Sequence, residues 1–91
     1  MVSPELAAAV RTLWSEVSGD LWAPQATPRE DSFLMVWDRG KHHLELEVFS
    51  GGTFDWFYRD RVEDTFKAGE GVTIHRMPSP LRAAVRQTKK G

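Results

Sequence analysis

The sequence predicts an α+β fold: an N-terminal helix packed on a three- or four-stranded antiparallel meander, with a short C-terminal helix. Three patterns indicate this order, namely an amphipathic stretch at the start, alternating apolar residues in the middle and a second helix start near the end. A chain of 91 residues is expected to form a single small α+β domain over 1–91, with a basic C-terminal segment at 76–91. It has no cysteine, so its stability depends on the apolar core.

The first helix is predicted at about residues 4 to 18. Ser3 and Pro4 are a typical helix start, because serine caps exposed backbone N–H groups and proline suits the first turn. A single apolar stripe follows, made of Leu6, Val10, Leu13, Trp14 and Val17. Gly19 is the expected stop, and the proline-containing stretch 19–31 is predicted to be a loop.

Three strands are predicted, at 32–38, 41–50 and 53–59. The second alternates cleanly, so Leu44, Leu46 and Val48 should point to one side of the sheet. The first strand is apolar on both faces, and two orientations are open. Either its odd-numbered residues (Phe33, Met35 and Trp37) or its even-numbered ones (Leu34 and Val36) face the core.

The turn after the second strand decides which side chains meet. A two-residue Gly51-Gly52 turn would pair Phe49 with Phe54, whereas a three-residue turn starting at Ser50 would pair Val48 with Phe54. We expect the three-residue turn, because it gathers the apolar residues of both strands on one face.

Less regular sequence follows. The polar segment 60–71 is predicted to be a loop or a short helical turn, and the segment 72–75 a fourth strand at the sheet edge. Ser79-Pro80 repeats the helix-start signal and begins the second helix, whose C-terminal end carries several cations.

Charge is unevenly distributed along the chain, although its net value is −1. The acidic body carries all 13 Asp and Glu residues, whereas residues after Glu70 include five basic ones and no acid. Three roles are therefore open for the basic segment: it docks on the acidic body, forms a solvated helix face or binds nucleic acid. In the nucleic-acid alternative the contacts would come from Arg82, Arg86, Lys89 and Lys90.

The sequence predicts a non-enzymatic, cytoplasmic protein without cofactor. No secretion signal, membrane-length apolar run, nucleophile elbow, phosphate-binding loop or zinc-protease motif is present. His43, Glu45 and Glu47 are possible metal ligands on one strand face. The same alternation of polar residues is expected of a solvated strand face, so no metal site is predicted.

A protein-binding surface is the leading hypothesis. Aromatic residues within a charged rim are typical of interfaces, and the outward side of the predicted hairpin combines both: Glu45, Glu47, Phe49, Asp55, Phe57 and Arg59. Two alternatives remain open, since this side either binds a protein partner or a second copy, or is covered by the C-terminal helix. Glu47 opposite Asp55 is a destabilising like-charge pair that Lys41, Arg59, Arg61 or a basic partner would compensate.

The hairpin resembles a loose group of small uncharacterised bacterial and phage proteins. The matching residues are Leu44, Glu45, Glu47, Val48, Gly52 and 56–61, within a likeness that covers about residues 30 to 65. The resemblance implies a small cytoplasmic protein of bacterial or phage origin and carries no assigned activity. Genes of such proteins often lie in mobile or defence neighbourhoods, which implies an inhibitor, immunity or antitoxin-like role.

Overall fold

In the part of the chain that the computed structural model describes, one helix precedes and one helix follows a run of five strands. The elements are α1 (Pro4–Val17), β1 (Gln25–Pro28), β2 (Ser32–Arg39), β3 (His42–Phe49), β4 (Thr53–Asp60), β5 (Thr65–Thr73) and α2 (Ser79–Lys90). The structure describes residues 3–17, 21–22 and 24–90, without the side chains of Arg39 and Lys90. Neither helix is long and apolar enough to span a membrane within that part of the chain.

The strands form one antiparallel sheet in the order β1-β2-β3-β4-β5. This confirms the α+β prediction, but the sheet has five strands rather than three or four. β1 lies in the predicted 19–31 loop, and β5 occupies most of the 60–71 segment that was predicted to be a loop or helical turn. Only the end of β5 overlaps the predicted strand 72–75. β1 and β5 lie at the two edges of the sheet, and most of their residues are exposed. Their sequences therefore lack the alternation of apolar and polar residues that marks a half-buried strand.

Helix α1 begins where the sequence predicts. The Ser3 hydroxyl accepts a hydrogen bond from the Leu6 backbone N–H at 3.1 Å, which is the expected N-cap. Its buried residues are Leu6, Ala9, Leu13 and Val17, and Val10 and Trp14 pack at the margin of the core. The predicted stop at Gly19 lies outside the described residues.

The register between β3 and β4 confirms the three-residue turn. Val48 pairs with Phe54, Leu46 with Trp56 and Leu44 with Tyr58. Gly52 at the end of this turn has a φ of +85°, a conformation that favours glycine. In β2 the odd-numbered residues face the core, since Met35 and Trp37 are buried, and Trp37 stacks on Trp14 of α1 with 6.3 Å between ring centroids.

Both helices pack on the same side of the sheet. Leu81, Ala84 and Val85 of α2 belong to one core cluster with the buried residues of α1 and of the strands. We call this side the inner face, which carries Met35, Trp37, Leu44, Leu46, Val48, Phe54, Trp56 and Tyr58. Of the two alternatives left open for the opposite side, coverage by the C-terminal helix is therefore not the one observed: α2 has its own apolar stripe, and that stripe completes the inner core.

Candidate binding face

The opposite side of the sheet, which we call the outer face, consists of the alternate side chains of β2 to β5. Directly paired residues of antiparallel strands point to the same side. The pairing therefore defines three rows across the sheet: Leu34-Glu47-Asp55, Val36-Glu45-Phe57-Ala68 and Asp38-His43-Arg59-Phe66. Phe49 pairs with Ser32 at one end of this face. All six sequence-predicted binding residues thus lie on one surface.

A shallow depression of about 240 Å³ lies on the outer face. Its lining residues are Leu34, Glu45, Glu47, Asp55, Trp56, Phe57, Ala68, Gly69 and Glu70. Among these described residues, four are carboxylates and none is Lys, Arg or His. The surface therefore combines apolar side chains with a concentration of negative charge, whereas Phe49 and Arg59 lie outside the depression.

The like-charge pair of Glu47 and Asp55 is present, as the predicted register requires. A carboxylate oxygen of Glu47 accepts a hydrogen bond from the Ser32 hydroxyl at 2.7 Å and lies 3.4 Å from an Arg29 guanidinium nitrogen. Asp55 accepts the backbone N–H of Gly71 at 2.8 Å, at the point where β5 bulges against β4. The compensation thus comes from groups other than Lys41, Arg59 or Arg61.

Arg59 and Arg61 bind other carboxylates. Arg59 contacts Asp64 in the β4–β5 turn at 2.8 Å. Arg61 holds both carboxylate oxygens of Asp38, at 2.9 and 2.8 Å, and also donates to the carbonyl of Gly40. Such bidentate pairing fixes the geometry of the carboxylate. It connects the end of β4 to the β2–β3 turn and so orders the edge of the outer face.

His43 is held between two carboxylates. Its Nδ1 lies 2.7 Å from Asp38 Oδ2, and its Nε2 lies 2.7 Å from Glu45 Oε2. Because both ring nitrogens face an ionised acceptor, the arrangement fits the doubly protonated imidazolium, which donates at both positions. His43 also meets the ring of Phe57 edge-on, with 6.3 Å between centroids.

The pKa values of His43 and Asp38 are displaced by their contacts within this cluster. Burial would lower the pKa of His43, but hydrogen bonds to Glu45 and Asp38 outweigh it, and the net pKa lies above its usual value. The hydrogen bonds from Arg61 and then from His43 hold the pKa of the Asp38 carboxyl well below its usual range. Each shift favours the charged form, so the cluster is a set of mutually stabilising ions.

The possible metal ligands of β3 do not form a metal centre in the part of the chain that the structure describes. No group of three or more His, Asp or Glu side chains there has suitable geometry. Both nitrogens of His43 are engaged by Asp38 and Glu45, and Glu47 bonds to Ser32 instead. These side chains therefore use their polar atoms in hydrogen bonds and ion pairs within the chain.

An aromatic pair extends the outer face towards the β5 edge. Phe57 stacks with Phe66, with 6.0 Å between ring centroids, and Phe66 is 67% exposed. Sequence reasoning missed the contribution of β5, which places Phe66, Ala68 and Glu70 beside the predicted residues. Their spacing of two in sequence is a strand signal, but it is interrupted by the glycines at 69 and 71.

Trp56 lies beneath the depression and requires the glycine opposite it. A Cβ atom at Gly69 would overlap Nε1 of the Trp56 indole, so only glycine leaves room for this ring. Trp56 Nε1 is also the buried side-chain nitrogen that has no hydrogen-bond partner among the described residues. Tight packing of the indole against the β5 backbone therefore supports the depression from below.

The basic residues of α2 lie away from the outer face. Arg82, Arg86 and Lys89 are exposed on the solvent side of this helix, and Leu81, Ala84, Val85 and Thr88 are buried beneath it. The side chain of Lys90 lies outside the described residues. The three described cations thus lie on an exposed side of a helix that is itself an integral part of the core.

Comparisons of this chain with protein-family models, with curated proteins and with solved structures found no match. Its candidate function therefore depends on the geometry of the outer face and of α2.

Proposed function

We propose that the protein acts by protein–protein contact, with the outer face as its binding surface and a basic protein segment as its partner. The observation that carries this proposal is the depression in which Leu34, Phe57 and Ala68 lie among four carboxylates. Apolar side chains give such a surface its affinity, and complementary charge gives it specificity and orientation.

Charge complementarity favours a basic partner over a second copy of this chain. Two outer faces placed against each other would bring Glu45, Glu47 and Asp55 of both copies together. Like charges brought together in an interface cost several kcal/mol, so a face-to-face homodimer is disfavoured. A lysine or arginine side chain instead lays its methylene stem on Phe57 or Leu34 while its charge reaches a carboxylate.

The exposed part of the Phe57–Phe66 pair supports the same assignment. Phe66 and Val62 are large apolar residues exposed by 67% and 65%. Phe66 stacks on Phe57 and so extends the apolar surface beyond the depression towards the β5 edge. An amphipathic partner segment can thus contact the carboxylates and the aromatic pair at once. An inhibitory, immunity or antitoxin-like role, as the bacterial and phage resemblance implies, is compatible with this mode of binding.

A fluorescence anisotropy experiment tests the proposal with two labelled peptides, one of alternating leucine and lysine and one of alternating leucine and glutamate. We expect the wild-type protein to bind only the basic peptide. The triple variant Glu45→Gln, Glu47→Gln and Phe57→Ser should weaken this binding about tenfold or more, because it removes two charges and the apolar contact.

The matched control removes two carboxylates elsewhere, as Glu5→Gln and Glu16→Gln on α1. It keeps the net charge of the triple variant, so nonspecific attraction is equal in both. If the two variants weaken binding equally, or if the triple variant binds like wild type, the outer face is not the binding surface. Circular dichroism verifies that each variant is folded.

Nucleic-acid binding through α2 is the second candidate. It is favoured by the exposure of Arg82, Arg86 and Lys89 on a helix whose other side is buried, because such a ridge can follow a phosphate backbone. Removing residues 79–91 would expose the core, so the test is neutralisation of these three cations to glutamine. A salt-sensitive affinity for duplex DNA or RNA should then be lost, and an unchanged affinity rejects this role.

A further inference from the structure

His43 occupies a position where one proton changes the charge of the outer face. Its two ring nitrogens contact Asp38 of β2 and Glu45 of β3, each at 2.7 Å. From β4, Arg59 is its cross-strand neighbour and Phe57 lies against its ring. Arg61 reaches the same cluster through its two hydrogen bonds to Asp38.

These neighbours hold the two carboxylates unequally. The Asp38 carboxylate has hydrogen bonds with His43 and with two guanidinium nitrogens of Arg61. The Arg61 bonds hold it in place whether or not the imidazole is protonated. Glu45 has His43 as its side-chain hydrogen-bond partner within the described part of the chain. A neutral imidazole has one N–H group and can donate to only one carboxylate. Arg61 neutralises Asp38 in either state, so loss of the His43 proton leaves the charge of Glu45 without a cation to balance it.

We propose that His43, which lies between Asp38 and Glu45, is a proton-operated switch: loss of its proton leaves the charge of Glu45 unbalanced at the depression and strengthens the binding of a basic partner. This inference rests on the proposed function of the outer face. With His43 protonated, the charges of Asp38, His43, Glu45 and Arg61 cancel. Without that proton the group carries one net negative charge, at the rim of the surface that meets the partner.

The switch operates in a window where the other groups keep their charge. Aspartate, glutamate, lysine and arginine side chains ordinarily titrate outside pH 5.5 to 8.5, so histidine is the group that changes there. The raised pKa of His43 places its step above the value of an ordinary histidine. A lysine-containing peptide remains fully charged throughout this range, so any change in its affinity reports on the protein.

The test measures the affinity of the alternating leucine–lysine peptide at low ionic strength from pH 5.5 to 8.5. We expect the affinity of the wild type to rise about fivefold as the pH increases through the titration of His43. One additional charge pair at contact distance in water contributes a factor of about this size. The His43→Gln variant should show no such step. The control His75→Gln changes a histidine outside the outer face and should retain it.

A second measurement follows the switch without any partner. The carbon-13 shift of the Glu45 carboxyl in the wild-type protein should move at the same pH as the His43 ring protons, and this movement should be absent in His43→Gln. If the peptide binds equally well at every pH, or if His43→Gln keeps the step, the switch is refuted while the proposed function stands. If no peptide binds, the proposed function fails, and an unmoved Glu45 signal refutes the switch separately.

Discussion

The two faces of the sheet are built from the same strands, but their side chains are satisfied in different ways. On the inner face, Trp37, Leu44 and Leu46 are fully buried by packing against α1 and α2. On the outer face, Glu45, Glu47 and Asp55 each have a polar partner within the chain, whereas Phe57 remains only half-buried. Strand alternation thus gives one face that supplies stability and another that leaves charged and aromatic side chains accessible.

The largest expected difference between the faces appears when a leucine is truncated on each. Leu46→Ala should lower the free energy of unfolding by about 2 to 5 kcal/mol, because it leaves a cavity in the fully buried core. Leu34→Ala on the half-buried outer face should cost about 1 kcal/mol or less. Urea unfolding of both variants makes the comparison, and equal losses would contradict the assignment of the faces.

A smaller effect is expected at the close approach between Trp56 and β5. Gly69→Ala should destabilise the protein by about 1 to 3 kcal/mol, because the added methyl group overlaps the indole and the ring must shift. Gly51→Ala is the control, since nothing lies within contact distance of a Cβ there. Thermal melts of the two variants should differ clearly, and equal melting temperatures would show that Trp56 moves without cost.

The smallest expected effect is the pH dependence of stability that His43 introduces. The folded state raises the pKa of His43, so its ion pairs contribute fully below the pKa that it has in the unfolded chain. This contribution is lost as the pH rises through the folded value. Wild type should therefore exceed His43→Gln in stability by less than about 1 kcal/mol in mild acid, and the difference should vanish at alkaline pH. Urea titrations at pH 5.5 and 8.5 measure this, and a gap that grows with pH would reverse the sign.

Local patterns in the sequence predicted α1, α2 and the β3–β4 hairpin. In the hairpin, only the three-residue turn lets Leu44, Leu46 and Val48 face apolar partners on the next strand. The structure has this turn. β1 was missed, and of β5 only the end at 72–73 was predicted as strand. Edge strands need no buried side, and Pro28, Gly69 and Gly71 interrupt the alternation that marks a strand.

The contacts of the outer face that could not be predicted from the sequence involve β1 and β5 or residues that meet only in the folded sheet. Ser32 and Arg29 stabilise Glu47 across the sheet, and Gly71 of β5 stabilises Asp55. The cluster of Asp38, His43 and Glu45 requires the register of β2 against β3. The apolar runs of β2 leave that register open in sequence, so the contacts of His43 with Asp38 and Glu45 could not be predicted from it.

A nitrogen-15 chemical-shift titration of the wild-type protein with the alternating leucine–lysine peptide tests the central claim most directly. If the outer face is the binding surface, the largest shifts should fall on Glu45, Glu47, Phe57 and Ala68, while the α2 amides of Arg82 and Arg86 stay in place. Shifts confined to α2, or spread evenly over both helices, would contradict the account.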